Sequence, residues 1–208
     1  VVQAFAVSRP DIKVSSFRQP TEELMATVEL EIRAGKPRAD VIVCSPPQLL
    51  GLQQQYKALE RYTPKDLEKI KKELRDPEML LTPTGLNLSL IQYNTKRITG
   101  ADIPKKFTDL LNPKFNNQIV LSDPQSSGTA HNHIWFLTKY MAETQGEPPY
   151  GWSFYRELRK LNAKYVASNG TVRAMVQTGE RSLGLQNLDD AMKSIASGEP
   201  ASFVLAQE

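Results

Sequence analysis

Cysteine is nearly absent from this 208-residue chain, where Cys44 stands alone. No internal disulfide can form, and no pair of thiols is available for a redox couple or a cysteine-based metal site. Cys44 ends the strand-like run "DVIVC" at residues 40–44, far in sequence from either histidine, so it reads as a small buried apolar residue rather than a nucleophile. Histidine is scarce too, with only His131 and His133. No apolar run approaches the ~18 residues that span a bilayer. Neither sign of charge dominates: 26 Lys and Arg face 23 Asp and Glu, a net charge of +3. That is too weak and too dispersed for a nucleic-acid partner. Lys65, Lys69, Lys71 and Lys72 are interleaved with Asp66, Glu68 and Glu73, the pattern of a solvated helix face. The chain has no G-x-S-x-G elbow, no G-x-G-x-x-G, no CxxC and no P-loop, so no cofactor is expected. It starts at Val1 without a visible signal peptide, inside what reads as a helix or strand.

What is present is an alternation of strand-like and helix-like stretches. Residues 12–17, 40–44, 86–95, 118–123, 164–168, 182–187 and 202–206 read as strands. Residues 21–35, 46–56, 63–74, 105–115, 128–145, 151–161, 170–179 and 188–198 read as helices, with Thr21 as a cap and Ser45-Pro46 as a cap and first helical residue. The fold class is therefore α/β, with largely parallel sheets covered on both faces. In such sheets ligands bind where strand carboxyl ends meet helix starts.

Four stretches have that strand-to-helix form: 44–46, 123–129, 168–170 and 186–190. In "SSGT", Ser126, Ser127, Gly128 and Thr129 combine hydroxyl donors, a glycine that permits close approach and the free N–H groups of a helix start. The same residues also suit an ordinary capped helix. "SNGT" repeats the arrangement with Asn169 and Gly170, and "QNLDDA" brings Asn187, Asp189 and Asp190 to a third joint. Those acids either complement the dipole of a first turn or meet a ligand's ammonium or hydroxyl. In "HNH", His131 and His133 are two apart, so on a helix they point roughly 200° apart and cannot clamp one metal. His131 can still reach a ligand at the joint. With no nucleophile or base set by spacing, binding fits better than turnover; an enzyme would have only His131 and Asp189 to call on.

The succession "ADVIVCSPPQL", "TPTGLNLSLIQYNT", "IPKKFTDLLNPKFNNQIVLSDPQSSGTA", "GWSFYRELRKL" and "SNGTVRAMVQTGERSLGLQNLDDA" resembles the extracellular solute-binding proteins of ABC importers, within the ferric-iron, phosphonate and phosphosugar group. The resemblance implies a type II periplasmic-binding fold: lobe one at 1–85, a crossing strand at 86–95, lobe two at 96–198 and a return crossing at 199–208. Lobe one would be incomplete, and the chain would be truncated at both ends. The resemblance also implies a monomer in the periplasm, or a lipoprotein on a Gram-positive cell, that hands a small-molecule anion to a membrane permease. Ser127, Gly128 and Thr129 match its anion-binding helix start, Asn169 a second contact and Ser45 the facing loop. Residues 186–189 match the loop where ferric binders carry paired tyrosines; here that loop has none, which argues against iron. Facing Asp189, a phosphonate, phosphosugar or carboxylate is the expected ligand. A sensor domain of the same fold and a ferric-iron binder are the alternative roles.

Overall fold

The computed structural model describes residues 2–86, 88–146 and 151–206. Asn87, inside the strand read at 86–95, and Gln207 and Glu208, in the return segment, lie outside the described residues. In chain order the regular elements are α1 (Val2–Ser8), α2 (Thr21–Arg33), α3 (Pro46–Tyr56), β1 (Ser89–Asn94), β2 (Ile119–Ser122), α4 (Gly128–Gln145), α5 (Ser153–Lys160), β3 (Lys164–Val166), α6 (Asn169–Thr178), β4 (Leu183–Asn187), α7 (Leu188–Ala196) and β5 (Ala201–Val204).

The strands form one sheet in the order β3-β2-β4-β1-β5. β2 runs parallel to β3 and β4, whereas β1 is antiparallel to both β4 and β5. The sheet is therefore mixed rather than largely parallel: the strands that enter and leave this unit run against its parallel core. Alternation along the strands divides two faces. Ile91, Ile119, Leu121, Leu183 and Leu185 point into a core shared with Leu137 and Met141 of α4 and Phe154 and Leu158 of α5. On the other face Val120 packs with Val172, Met175 and Val176 of α6. There Gln92 of β1 donates through Nε2 to Ser194 Oγ of α7 at 2.8 Å where α7 covers the sheet, while its buried Oε1 has no partner among the described residues.

A smaller cluster of Met25, Val28 and Leu52 joins α2 to α3, with Ile42 and Cys44 packed against it. α2 ends where Gly35 takes φ +65°, a left-handed turn that glycine adopts without a Cβ clash. Its N-cap is Pro20, so Thr21 is the first helical residue and not the cap.

The two runs read as strands at 12–17 and 40–44 are irregular chain. A strand needs a neighbour for its N–H and C=O groups, and among the described residues neither run has one. Apart from Ile42 and Cys44, their apolar side chains stay exposed, Val41 at 80% and Phe17 at 67%. The stretch 63–74 is not one helix but two short 3-10 turns, Leu67–Lys69 and Lys72–Leu74. Residues 105–115 likewise resolve into the 3-10 segments Phe107–Leu111 and Pro113–Phe115, because Pro113 cannot continue a helical ladder begun before it.

Candidate ligand-binding site

The parallel strands β2, β3 and β4 end at one edge of the sheet, and each leads into a helix. Side chains tie these three joints together. Ser126 Oγ donates to the carbonyl of Ala167 at 2.9 Å, linking the start of α4 to that of α6. Gln186 Nε2 donates to the carbonyl of Asn169 at 2.9 Å, linking the end of β4 to α6. Ser126 is thus committed to holding the edge together.

At the first joint Asp123 organises the turn. Its carboxylate accepts from the Gln125 N–H at 2.8 Å, and its carbonyl accepts from the Ser126 and Ser127 N–H groups at 3.1 and 2.9 Å. Ser127 is the N-cap residue of α4, yet its hydroxyl makes no cap bond although the residue is only 8% exposed. The N–H groups of Gly128 and Thr129 have no acceptor among the described residues. A helix start with free donors carries the positive end of the dipole and favours an anion.

The second joint is similar. Ser168 caps α6 by accepting from the Thr171 N–H at 3.2 Å, while the N–H groups of Asn169 and Gly170 have no acceptor among the described residues. Asn169 is buried, and its Oδ1 has no partner. The third joint differs. Asn187 accepts from the Asp190 N–H at 3.0 Å and is the cap of α7. Asp189 is exposed and lines a shallow recess with Met192, Lys193 and Ala196 on α7. The sequence reading set Asp189 across from the anion; Glu22 is an acid that meets α4, beside His131.

Glu22 arrives with α2 and α3. A Cβ built on Gly128 would lie 3.0 Å from Thr21 Oγ1 and 3.3 Å from Ser45 Oγ, so the starts of α2, α3 and α4 converge there. Ser45 Oγ accepts from Asn132 Nδ2 at 3.4 Å, and Gln48 Nε2 lies 2.9 Å from His131 Nδ1. Glu22 Oε1 is 3.6 Å from that same ring nitrogen and 3.4 Å from Gln48 Nε2. Pro46 and Pro47 open α3 and have no N–H to offer, so α3 contributes its dipole and the Ser45 hydroxyl. Thr21, Glu22, Gln48 and Asn132 were not candidates from sequence. Thr21 carried a usable signal, since it opens a helix with a hydroxyl as Ser127 does.

The two histidines part company as their spacing requires. His131 is half-exposed against Gln48 and Glu22. His133 is buried, its Nε2 is without a partner, and burial pushes its pKa down to about 4. Cys44 is half-buried against the α2–α3 cluster, and burial raises its pKa, the opposite of what a nucleophilic thiolate needs. Among the described residues no three His, Cys, Asp or Glu side chains gather as a metal would require.

A family model for bacterial extracellular solute-binding proteins matches residues 36–203. The chain belongs to this family. As an extracellular solute-binding protein it is similar to the periplasmic binding protein AfuA of Actinobacillus pleuropneumoniae, solved with fructose 6-phosphate bound. The two are 25% identical with a TM-score of 0.78, over 99% of this chain and 64% of that one. It shares its fold with iron-bound HitA from Pseudomonas aeruginosa, at 19% identity and a TM-score of 0.75, over 98% of this chain and 63% of that one. An uncharacterised protein of Haemophilus influenzae is 24% identical over 205 residues, 95% of this chain and 57% of the relative. The solute-binding chain thus spans somewhat under two thirds of the length of these relatives.

Proposed function

We propose that this chain forms the ligand-holding part of a solute-binding protein that captures a small anion in the periplasm or at the cell surface and passes it to the membrane permease of an ABC importer. The observation that carries the reading is the pair of helix starts at Gly128–Thr129 and Asn169–Gly170. Together they offer four N–H groups without acceptors among the described residues. They are held side by side through the Ser126–Ala167 bond. Thr21 and Ser45 approach Gly128 from α2 and α3, so a ligand there would be gripped from both parts of the molecule.

A phosphate, phosphonate or carboxylate group matches these donors in charge and geometry. The fructose 6-phosphate bound to AfuA supports this ligand class. Ferric iron is disfavoured: the carboxylate beside the site is that of Glu22, and a hard trivalent cation needs several anionic oxygens. The reading is tested by calorimetric titration with fructose 6-phosphate, 2-aminoethylphosphonate, inorganic phosphate and ferric citrate. Saturable binding of a phosphorylated or phosphonate probe is expected. Tight binding of ferric citrate with none of the others would overturn the proposal.

A further inference from the structure

We infer that Glu22 sets the ligand preference of this site, by disfavouring bare anions and favouring an anion that also carries a hydroxyl or ammonium group. The inference rests on the anion-site reading above. Glu22 follows Thr21 in the first turn of α2, and Thr21 is the residue whose hydroxyl meets Gly128. The Glu22 carboxylate is bracketed by one residue from each neighbouring element, His131 of α4 and Gln48 of α3. No Lys or Arg among the described residues forms an ion pair with it, so its charge is not cancelled by a fixed cation.

Two further acceptors nearby point the same way. Gln48 Oε1 and Asn169 Oδ1 are both buried without a partner among the described residues. The Ser127 hydroxyl, in a residue only 8% exposed, makes no cap bond to its own helix. The site therefore offers donors from backbone and acceptors from side chains. Inorganic phosphate, with its P–OH as the donor it can offer, would use the backbone donors, face the Glu22 charge and leave most of the acceptors empty. A ligand with a hydroxyl or ammonium beside its anion would engage both sets. Discrimination of this kind comes from what the wrong ligand leaves unpaired and from like-charge repulsion.

The test uses the full chain with calorimetry for inorganic phosphate, fructose 6-phosphate and 2-aminoethylphosphonate. The wild type is compared with Glu22→Gln and with Glu23→Gln, an exposed control in the same turn. Like charges a few ångströms apart in partly hydrated surroundings repel enough to change affinity by about tenfold. The wild type should thus prefer one of the substituted anions to inorganic phosphate by at least about tenfold. Glu22→Gln should reduce that ratio to about threefold or less by binding phosphate more tightly, and Glu23→Gln should leave it unchanged. An unchanged urea midpoint would show that the fold is intact. If the wild type binds anions and Glu22→Gln keeps the same ratio, the role of Glu22 is refuted while the anion site stands. If no protein binds any of the three probes, both readings fall.

Discussion

Gly184 shows how closely the two sides of the sheet are fitted at the level of single atoms. It lies on β4, and a Cβ there would come within 2.7 Å of Val172 Cγ1 and 3.0 Å of Val176 Cγ2, both on α6. β-branched side chains cannot easily swing away, so the helix itself would have to move. Gly184→Ala is expected to cost about 1–3 kcal/mol, the usual range for overpacking. Gly51 makes the opposite case: it sits inside α3, is exposed, and nothing lies within 4 Å of a Cβ built on it. Gly51→Ala should stabilise the protein by about 0.5–1 kcal/mol through helix propensity. Urea denaturation of both variants measures the contrast, and equal midpoints would contradict the packing described. At this same scale part of the site escaped the sequence. Ser127, Gly128, Thr129, Asn169 and Gly170 could be named as candidates because helix-start chemistry is local. Glu22 and Gln48 could not, because only the fold carries them across some hundred residues to His131. Asp189 is ambiguous from sequence, because an acid in a first turn is favourable against the helix dipole whether or not a ligand is near.

Elements between 119 and 196 follow their sequence signals closely, since each strand there finds a partner in the sheet built from residues 89–204. The runs at 12–17 and 40–44 have the same apolar patterning and yet form no strand. Periodicity states which side chains a segment would bury; pairing requires another strand beside it, and none is there among the described residues. α4 illustrates the opposite outcome, a helix whose buried stripe of Ala130, His133, Leu137 and Met141 keeps helical spacing and includes one ionisable group. Because folding depresses the His133 pKa to about 4, the unfolded chain takes up a proton first as pH falls. Stability is therefore full above the unfolded value near 6.5, declines between there and 4, and levels off below. The expected loss from this residue between pH 7 and pH 5 is about 2 kcal/mol. Subtracting the urea-derived stabilities of His133→Leu from those of wild type at each pH isolates it from the carboxylates. A difference that does not vary with pH would mean that His133 is not held neutral in the fold.

As a whole the molecule divides into a sheet unit, with helices on both faces, and a smaller α2–α3 unit built on Met25, Val28 and Leu52. Among the described residues, the side-chain polar contacts that join the two units fall on His131 and Asn132 of α4. These contacts are polar and partly exposed, and among the described residues no buried apolar cluster spans both units, which is the construction expected where units close on a ligand. A bound anion at the start of α4 would add a bridge at the same place. Hydrogen exchange should then report three classes of amide. Those of β1, β2 and β4 should be the slowest with or without ligand. Residues 13–18 and 39–44, which donate no backbone hydrogen bonds among the described residues, should exchange fast throughout. Amides of α2 and α3 should start between these and slow by roughly tenfold or more at saturating ligand, because ligand contacts spanning both units stabilise their association by mass action. If saturating ligand protects only α4 and α6, it is held by the sheet unit alone, and α2 and α3 take no part in closing over it.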